Sequence, residues 1–212
     1  MLTVHHLNNS RSQRILWLLE ELELDYELRG YQRDPDTNLA PASLEAVHPL
    51  GKSPVLTDGK TTVIESGAII DYILRHHGGG RLRPAADSAE LEEYLQWLHY
   101  AEGSAMLPLM LRMYCSRLPD GGAALQPRIT DELNRHLGYL DGALDGVDWF
   151  VGNSFSGADI QLSFVAEIAP LLHTLEPFSN LAAFRDRIHA RPAYRRALDR
   201  GGRYDFGPAQ EQ

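Results

Sequence analysis

The sequence predicts an α/β domain over residues 1–80 followed by an all-α domain over residues 88–212. Three observations carry this. Short apolar runs bounded by Asn, Asp and Gly fill the first part and read as strands and turns. After residue 88 the apolar residues recur only at helical spacing. Between the two lie Gly78-Gly79-Gly80 and Arg81-Leu82-Arg83-Pro84, a turn and a linker.

The elements run in order. Leu2–Leu7 is apolar-rich and ends at Asn8-Asn9-Ser10, a strand and its turn. Ile15, Leu18, Leu19 and Leu22 form a helical stripe, giving a first helix over Ser10–Leu24 with a capping box from Ser10 to Gln13. Tyr26–Tyr31 is a second strand, and a short helix is expected around Ser43–Val47. Gly51-Lys52-Ser53-Pro54-Val55-Leu56 leads into a third strand, Asp58-Gly59 turns the chain, and a fourth strand reaches Glu65. A helix then begins at Ser66. The order βαβαββα is that of a thioredoxin-like layer. Beyond the linker, one long helix is expected over Ser88–Leu118, bent at Pro108, which removes a backbone donor. Further helices fit Arg128–Leu144, Gly157–Leu172, Leu181–Ala190 and Ala193–Leu198, with a loosely held tail from Gly201. Phe155-Ser156-Gly157-Ala158-Asp159-Ile160 holds a second capping box, Ser156 to Asp159, with a hydrophobic staple.

Composition narrows the function. A chain of 212 residues with 43% hydrophobic and 23% charged residues is ordinary for a soluble globular protein. Its net charge of −9, with no basic face set apart, argues against nucleic acid as a partner. The single cysteine, Cys115, has no internal disulfide partner, which favours a reducing compartment. No apolar run approaches membrane-spanning length and the start lacks a signal-peptide pattern, so cytoplasm is the expected location. The nine histidines show no metal-ligand spacing, and no metal or prosthetic group is expected.

The start of the helix at Ser66 is the most informative site. A helix N-terminus gathers unpaired N–H groups and positive dipole, and so attracts a carboxylate. Ser66 adds a hydroxyl there while acting as a cap, and Glu65 puts a carboxylate beside it. Together they match the two ends of an amino-acid zwitterion. Pro54 cannot continue a strand ladder, which leaves backbone at Ser53 free to pair with an extended peptide. A zwitterion receptor beside a peptide-pairing edge calls for a small peptide with a free α-amino acid end, as in glutathione.

With these residues in their order, the chain resembles the cytosolic glutathione transferase family over nearly its whole length. The likeness rests on the Ser53-Pro54 and Glu65-Ser66 elements and on Ser156-Gly157-Ala158-Asp159. His48-Pro49-Leu50-Gly51 and Ser10-Arg11 look most like a fungal and bacterial branch of serine type. The resemblance implies the glutathione transferase fold, a homodimer and a cis bond before Pro54. It implies that Ser10 donates to the sulfur of glutathione, with Asn9 as the rival donor, and that Lys52, Ser53, Pro54, Glu65 and Ser66 hold the peptide. Glu102 is a candidate to reach a partner subunit's glutathione. Met106, Met110 and Met113, with Tyr114 and Tyr100, are the candidates for a second-substrate pocket that takes an apolar electrophile. Attack of the thiolate on an electrophilic carbon is the expected reaction. Reduction of peroxides or disulfides by the same thiolate, and binding without catalysis, are the alternatives.

Overall fold

The computed structural model describes residues 1–208 and divides into two compact units: residues 1–82 together with 189–208, and Arg83–Ile188. The last helix and the residues after it therefore group with the N-terminal unit, not with the helical domain in which the sequence puts them.

In the first unit, β1 (Leu2–Leu7) pairs in parallel with β2 (Tyr26–Tyr31) and antiparallel with β3 (Val55–Asp58), which pairs antiparallel with β4 (Thr61–Ile64). The strand order is β2-β1-β3-β4. The hairpin turns on Gly59-Lys60, with Asp58 opposite Thr61 and Gly59 at φ 58°. Helix α1 spans Gln13–Glu21, shorter at both ends than expected. Its first turn carries i→i−3 bonds from Gln13 N–H to Ser10 O and from Ile15 N–H to Ser12 O, so residues 10–12 form a tight lead-in. Helix α2 (Ala42–Glu45) is one turn, and α3 (Ser66–His76) starts where expected.

The stripe on α1 predicts burial on one face, yet every residue from Gln13 to Leu19 is buried. The cause is α9 (Pro192–Gly201), which packs on α1. Trp17 meets Tyr194 edge to face at 5.3 Å, and Arg191 grips the Glu21 carboxylate with two N–H groups. The chain beyond α9 is tied down as well. Tyr204 is buried, and Asp205 and Asn9 exchange two hydrogen bonds of 2.8 Å. The expected loose tail is thus anchored at Tyr204 and Asp205, and residues 209–212 lie outside the described residues.

The second unit is helical: α4 (Glu90–Tyr100), a π-helical turn (Ala101–Ala105), α5 (Met106–Cys115), α6 (Gln126–Ala143), α7 (Gly157–Leu172) and α8 (Ser179–His189, whose last residue groups with the first unit). The expected long helix is irregular at 101–105, not at Pro108 itself. A proline ring presses on the carbonyl one turn before it and offers that carbonyl no N–H, so the disturbance falls N-terminal to the proline. Here Met106 N–H reaches Ala101 O, an i→i−5 bond. Helix α7 is buried all round from Gly157 to Ala169 and forms the centre of the unit. Cys115 ends α5 against Gly122 (φ 68°), where a Cβ would stand 2.7 Å from its sulfur.

Candidate functional site

The connection from β1 to α1 holds the first group of candidates. Asn9 sits at φ 51°, a conformation Asn tolerates better than most residues. Each end of its amide makes one hydrogen bond: Nδ2 donates to Asp205 Oδ2 and Oδ1 accepts from Asp205 N–H. Arg33 fastens the same loop, donating to the carbonyls of Asn8 and Asn9, while its own N–H donates to Asn8 Oδ1. The bonds to Asp205 use one of the two Nδ2 hydrogens and tie Asn9 to the chain after α9.

Ser10 is 7% exposed. Its Oγ accepts from Ser12 N–H at 3.2 Å, within the lead-in turn. The N-cap of α1 is Ser12 and makes no side-chain capping bond, so the expected bond from Gln13 N–H to the Ser10 hydroxyl is not formed. The reciprocal half of the box is missing as well. Gln13 is buried, and its amide has no hydrogen-bond partner among the described residues. The Ser10 hydroxyl instead shares a 2.8 Å hydrogen bond with Ser12 Oγ. Ser12 Oγ lies 2.8 Å from His6 Nδ1, and His6 Nε2 lies 3.1 Å from the carbonyl of Gly201. Burial holds His6 below the usual imidazole range, with the Gly201 carbonyl opposing. His6 and Ser12 have no sequence signal of their own, because their contact depends on where β1 and α9 end.

The second group surrounds the starts of β3 and α3. The Ser53–Pro54 bond is cis. Ser53 Oγ donates to His5 O at 2.8 Å and accepts from Leu7 N–H at 3.1 Å, stitching this loop to β1. The backbone N–H and C=O of Ser53 make no hydrogen bond among the described residues. Lys52 is exposed. Glu65, not Ser66, is the N-cap of α3, and it makes no side-chain cap bond. Glu65 stands at φ 67°, ψ 118°, its side chain exposed and without an ion pair or hydrogen bond among the described residues. Ser66 occupies the first helical position at 4% exposure, and its hydroxyl accepts from Arg14 Nη1 at 3.1 Å. Arg14 is buried and brings a positive charge under the start of α3. Hydrogen bonds from β1 to Ser53 and from α1 to Ser66 thus tie two separated stretches to the strand–helix unit that carries Ser10.

In the helical unit the candidates separate. Met106 is core, at 2% exposure, while Met110 and Met113 are half-buried and Tyr114 is exposed. The exposed apolar residues of α5 are Leu107, Leu111 and Tyr114, on the face next to the methionines, with Leu118 exposed just beyond the helix. Tyr100 pairs its hydroxyl with His136 Nδ1 at 2.7 Å. It lines an open concavity of about 820 Å³ with Trp97, Tyr139, Glu92 and Ser104. Glu102 is half-buried in the π turn. Among the described residues no three His, Cys, Asp or Glu side chains come together as metal ligands, and no helix is long and apolar enough to cross a membrane.

Comparison with known proteins adds to this geometry. Residues 1–75 match the family model described as glutathione S-transferase, N-terminal domain, and residues 104–192 match that for the C-terminal domain. The sequence is 32% identical to glutathione S-transferase 3 of Schizosaccharomyces pombe, covering 94% of this chain and 88% of that protein. A crystal structure of a glutathione S-transferase from Actinobacillus pleuropneumoniae superposes with a TM-score of 0.88 at 32% identity, covering 97% of this chain and 95% of the other. A sphingomonad glutathione S-transferase complexed with glutathione superposes with a TM-score of 0.78 at 26% identity, covering 94% and 98%.

Proposed function

This chain belongs to the glutathione transferase family, and from that premise we propose that it binds glutathione at Glu65, Ser66 and Ser53 and delivers the thiolate, formed beside Ser10, to the electrophilic carbon of an apolar substrate. The observation that carries the reading is Glu65. A non-glycine residue at positive φ costs of order 1–3 kcal/mol, and here the strain holds an exposed, unpaired carboxylate beside the first turn of α3. That carboxylate suits the ammonium of the γ-glutamyl residue. The first-turn N–H groups and the Ser66 hydroxyl, with Arg14 beneath, suit its carboxylate. The unpaired backbone of Ser53 suits the cysteinyl backbone of the peptide. Lys52 supplies a point charge for the glycine carboxylate.

A free thiol has a pKa of about 8.5, so few molecules are ionised at neutral pH. A hydroxyl donor at the sulfur, with the N-terminal turn of α1 behind it, favours the anion. The thiolate's electron pair forms the C–S bond as the substrate's leaving group departs with its own pair. The exposed stripe Leu107, Leu111 and Tyr114, with Met110 and Met113, is assigned to the apolar substrate. A homodimer, a role for Glu102 at a partner's glutathione, and a cytoplasmic location belong to the same proposal.

Calorimetric titration with glutathione and with Cys-Gly tests the reading. Cys-Gly lacks the γ-glutamyl zwitterion and should bind at least about tenfold more weakly, the scale of one lost charge-assisted contact. Equal affinities would refute the site assignment. Product analysis with a panel of apolar electrophiles and hydroperoxides then separates conjugation, which yields a thioether, from reduction, which yields oxidised glutathione.

A further inference from the structure

The chain of side chains behind Ser10 has a direction. The Gly201 carbonyl can only accept, so the His6 Nε2 facing it at 3.1 Å carries a hydrogen. In a neutral imidazole Nδ1 is then bare. The Ser12 hydroxyl has the Leu7 carbonyl at 3.3 Å and Nδ1 at 2.8 Å as acceptors, and it donates to the nearer Nδ1. Ser12 has one proton, so in the 2.8 Å bond between the two serines it is Ser10 that donates. Ser10 Oγ also accepts from Ser12 N–H. In this resting state Ser10 presents a lone pair outward and no proton. It is set to accept from a thiol S–H, and it cannot donate to a thiolate.

We propose that His6, acting through Ser12, takes up the proton of glutathione's thiol and thereby turns Ser10 from acceptor to donor; the proposal rests on the assignment of the sulfur to Ser10 above. The step balances without a further reactant. The S–H bond breaks and sulfur keeps the pair. Ser10 Oγ gains that proton and passes its own to Ser12 Oγ, and Ser12 passes its own to His6 Nδ1. The products are a thiolate that accepts from Ser10 and an imidazolium that donates from Nδ1 to Ser12 and from Nε2 to Gly201. All three bonds persist with reversed polarity, so no buried group loses a partner.

The surroundings of His6 suit an acceptor that starts empty. It faces Ser12 from the lead-in to α1, the Gly201 carbonyl from the end of α9, and Gly30 across the β1–β2 pairing, with the Gln13 amide beside Gly201. None of these titrates, and no charged side chain contributes to its shift, so burial keeps the ring neutral at rest. Attraction between the new anion and cation in a buried setting offsets that preference, as in thiolate–imidazolium pairs of reactive cysteines. His6 is a positioning residue, since it touches no substrate.

The test counts protons. Thiolate is measured by its ultraviolet absorbance near neutral pH, and proton release to solvent is measured on binding glutathione and, separately, S-methylglutathione. The difference isolates the thiol proton from other linked groups. The wild-type protein should form thiolate with little or no matching release. In Ser12→Ala, which keeps His6 but cuts the relay, each thiolate formed should release about one proton, and His6→Gln should behave alike. Release of one proton per thiolate by the wild type would overturn the relay alone. Unchanged thiolate in Ser10→Ala would overturn the Ser10 assignment and the relay with it.

Discussion

Two helix starts in this chain have a serine hydroxyl that accepts from the N–H two residues on, and they differ in where the hydroxyl proton goes. Ser156 is the N-cap of α7, while Ser10 lies in the turn before Ser12, the N-cap of α1. Both bonds are 3.2 Å. At Ser156 the residue three positions on closes the box. Asp159 Oδ2 accepts from Ser156 N–H at 2.8 Å and from its hydroxyl at 3.0 Å, while Oδ1 accepts from Phe150 N–H. The hydroxyl proton there is locked on a fixed acceptor. At Ser10 the corresponding residue is Gln13, which does not reach back, and the proton lies on a path shared with Ser12 and His6. One hydroxyl holds a fold together; the other is free to change partners.

The largest effect should come from breaking the closed box. Asp159→Ala strips the acceptor from three buried donors, and unsatisfied buried donors cost about 1–3 kcal/mol each. We expect a loss of at least about 3 kcal/mol in chemical denaturation; a loss below about 1 kcal/mol would mean the box is dispensable. The same residue gives a pH signature. Burial pushes Asp159 up to about 6 from 3.8, against the three donors that favour its anion. Between these values the folded state holds a proton that the unfolded state has lost, so this group's contribution to stability falls as pH rises from about 4 to 6. His5 and His6, both lowered by burial, act oppositely: the unfolded chain binds their protons first, and stability is lost as pH falls below 6.5. Asp159→Asn should remove only the first trend. The stability difference between wild type and Asp159→Asn should therefore shift against the wild type by about 2–3 kcal/mol across that window; a flat difference would show that Asp159 stays ionised.

Next in size is Glu65, a functional cap with no capping bond at all. Glu65→Ala should weaken glutathione binding by about 1.5–3 kcal/mol, the scale of a hydrogen bond to a charged group. Glu65→Gly sharpens the contrast. Glycine accepts positive φ without strain, so this variant should gain about 1 kcal/mol of stability while losing the same affinity. Unchanged affinity in both variants, measured by calorimetric titration, would remove Glu65 from the site.

Local chemistry decides the part that was legible in the sequence. Strands Leu2–Leu7 and Tyr26–Tyr31 and helix Gly157–Leu172 lie where apolar runs and the Ser156 box put them. Ser66 begins its helix as expected, whereas the Ser10–Gln13 box does not form and the N-cap of α1 is Ser12. The hidden part depends on distant segments. His6 meets Gly201 across 195 residues, and Asn9 meets Asp205 across 196, so neither the relay nor the anchored tail has a local pattern. Arg14 sits on a helix whose outer face is covered by α9, which a stripe of leucines does not announce. The π turn at Ala101–Ala105 has no residue type that marks it, and the methionines split between core and surface because burial of α5 depends on its neighbours.

Ser10 itself should show a smaller, double effect. Ser10→Ala loses the bond from Ser12 N–H, about 1 kcal/mol. It also raises the pKa of bound glutathione by at least about one unit, or about 1.4 kcal/mol. Ser156→Ala should cost a similar or larger amount of stability and leave the thiol alone. Ultraviolet titration of bound thiolate in the two variants checks the pair, and an equal pKa in both would make Ser10 structural like its counterpart. Asn9→Ala tests the rival donor. It removes two bonds to Asp205 and should loosen the tail, and a thiol shift there without one in Ser10→Ala would transfer the role to Asn9.

The smallest effect, and the sharpest on the open box, belongs to Gln13. If Gln13 completed a capping box, replacing it would cost about 0.5–2 kcal/mol. Instead both polar atoms of its amide are buried without hydrogen-bond partners among the described residues. Methionine has nearly the same length and flexibility and carries no polar atom that needs a partner. Gln13→Met should therefore raise stability by about 0.5–1 kcal/mol, since removing an unpaired buried amide returns part of its desolvation cost. The thiol pKa should stay put, because the relay runs through Ser12 and His6 and not through this amide. A destabilisation of about 1 kcal/mol or more in the denaturation midpoint would mean that Gln13 holds Ser10 after all, and the two serines would then differ only in the length of the side chain that closes on them.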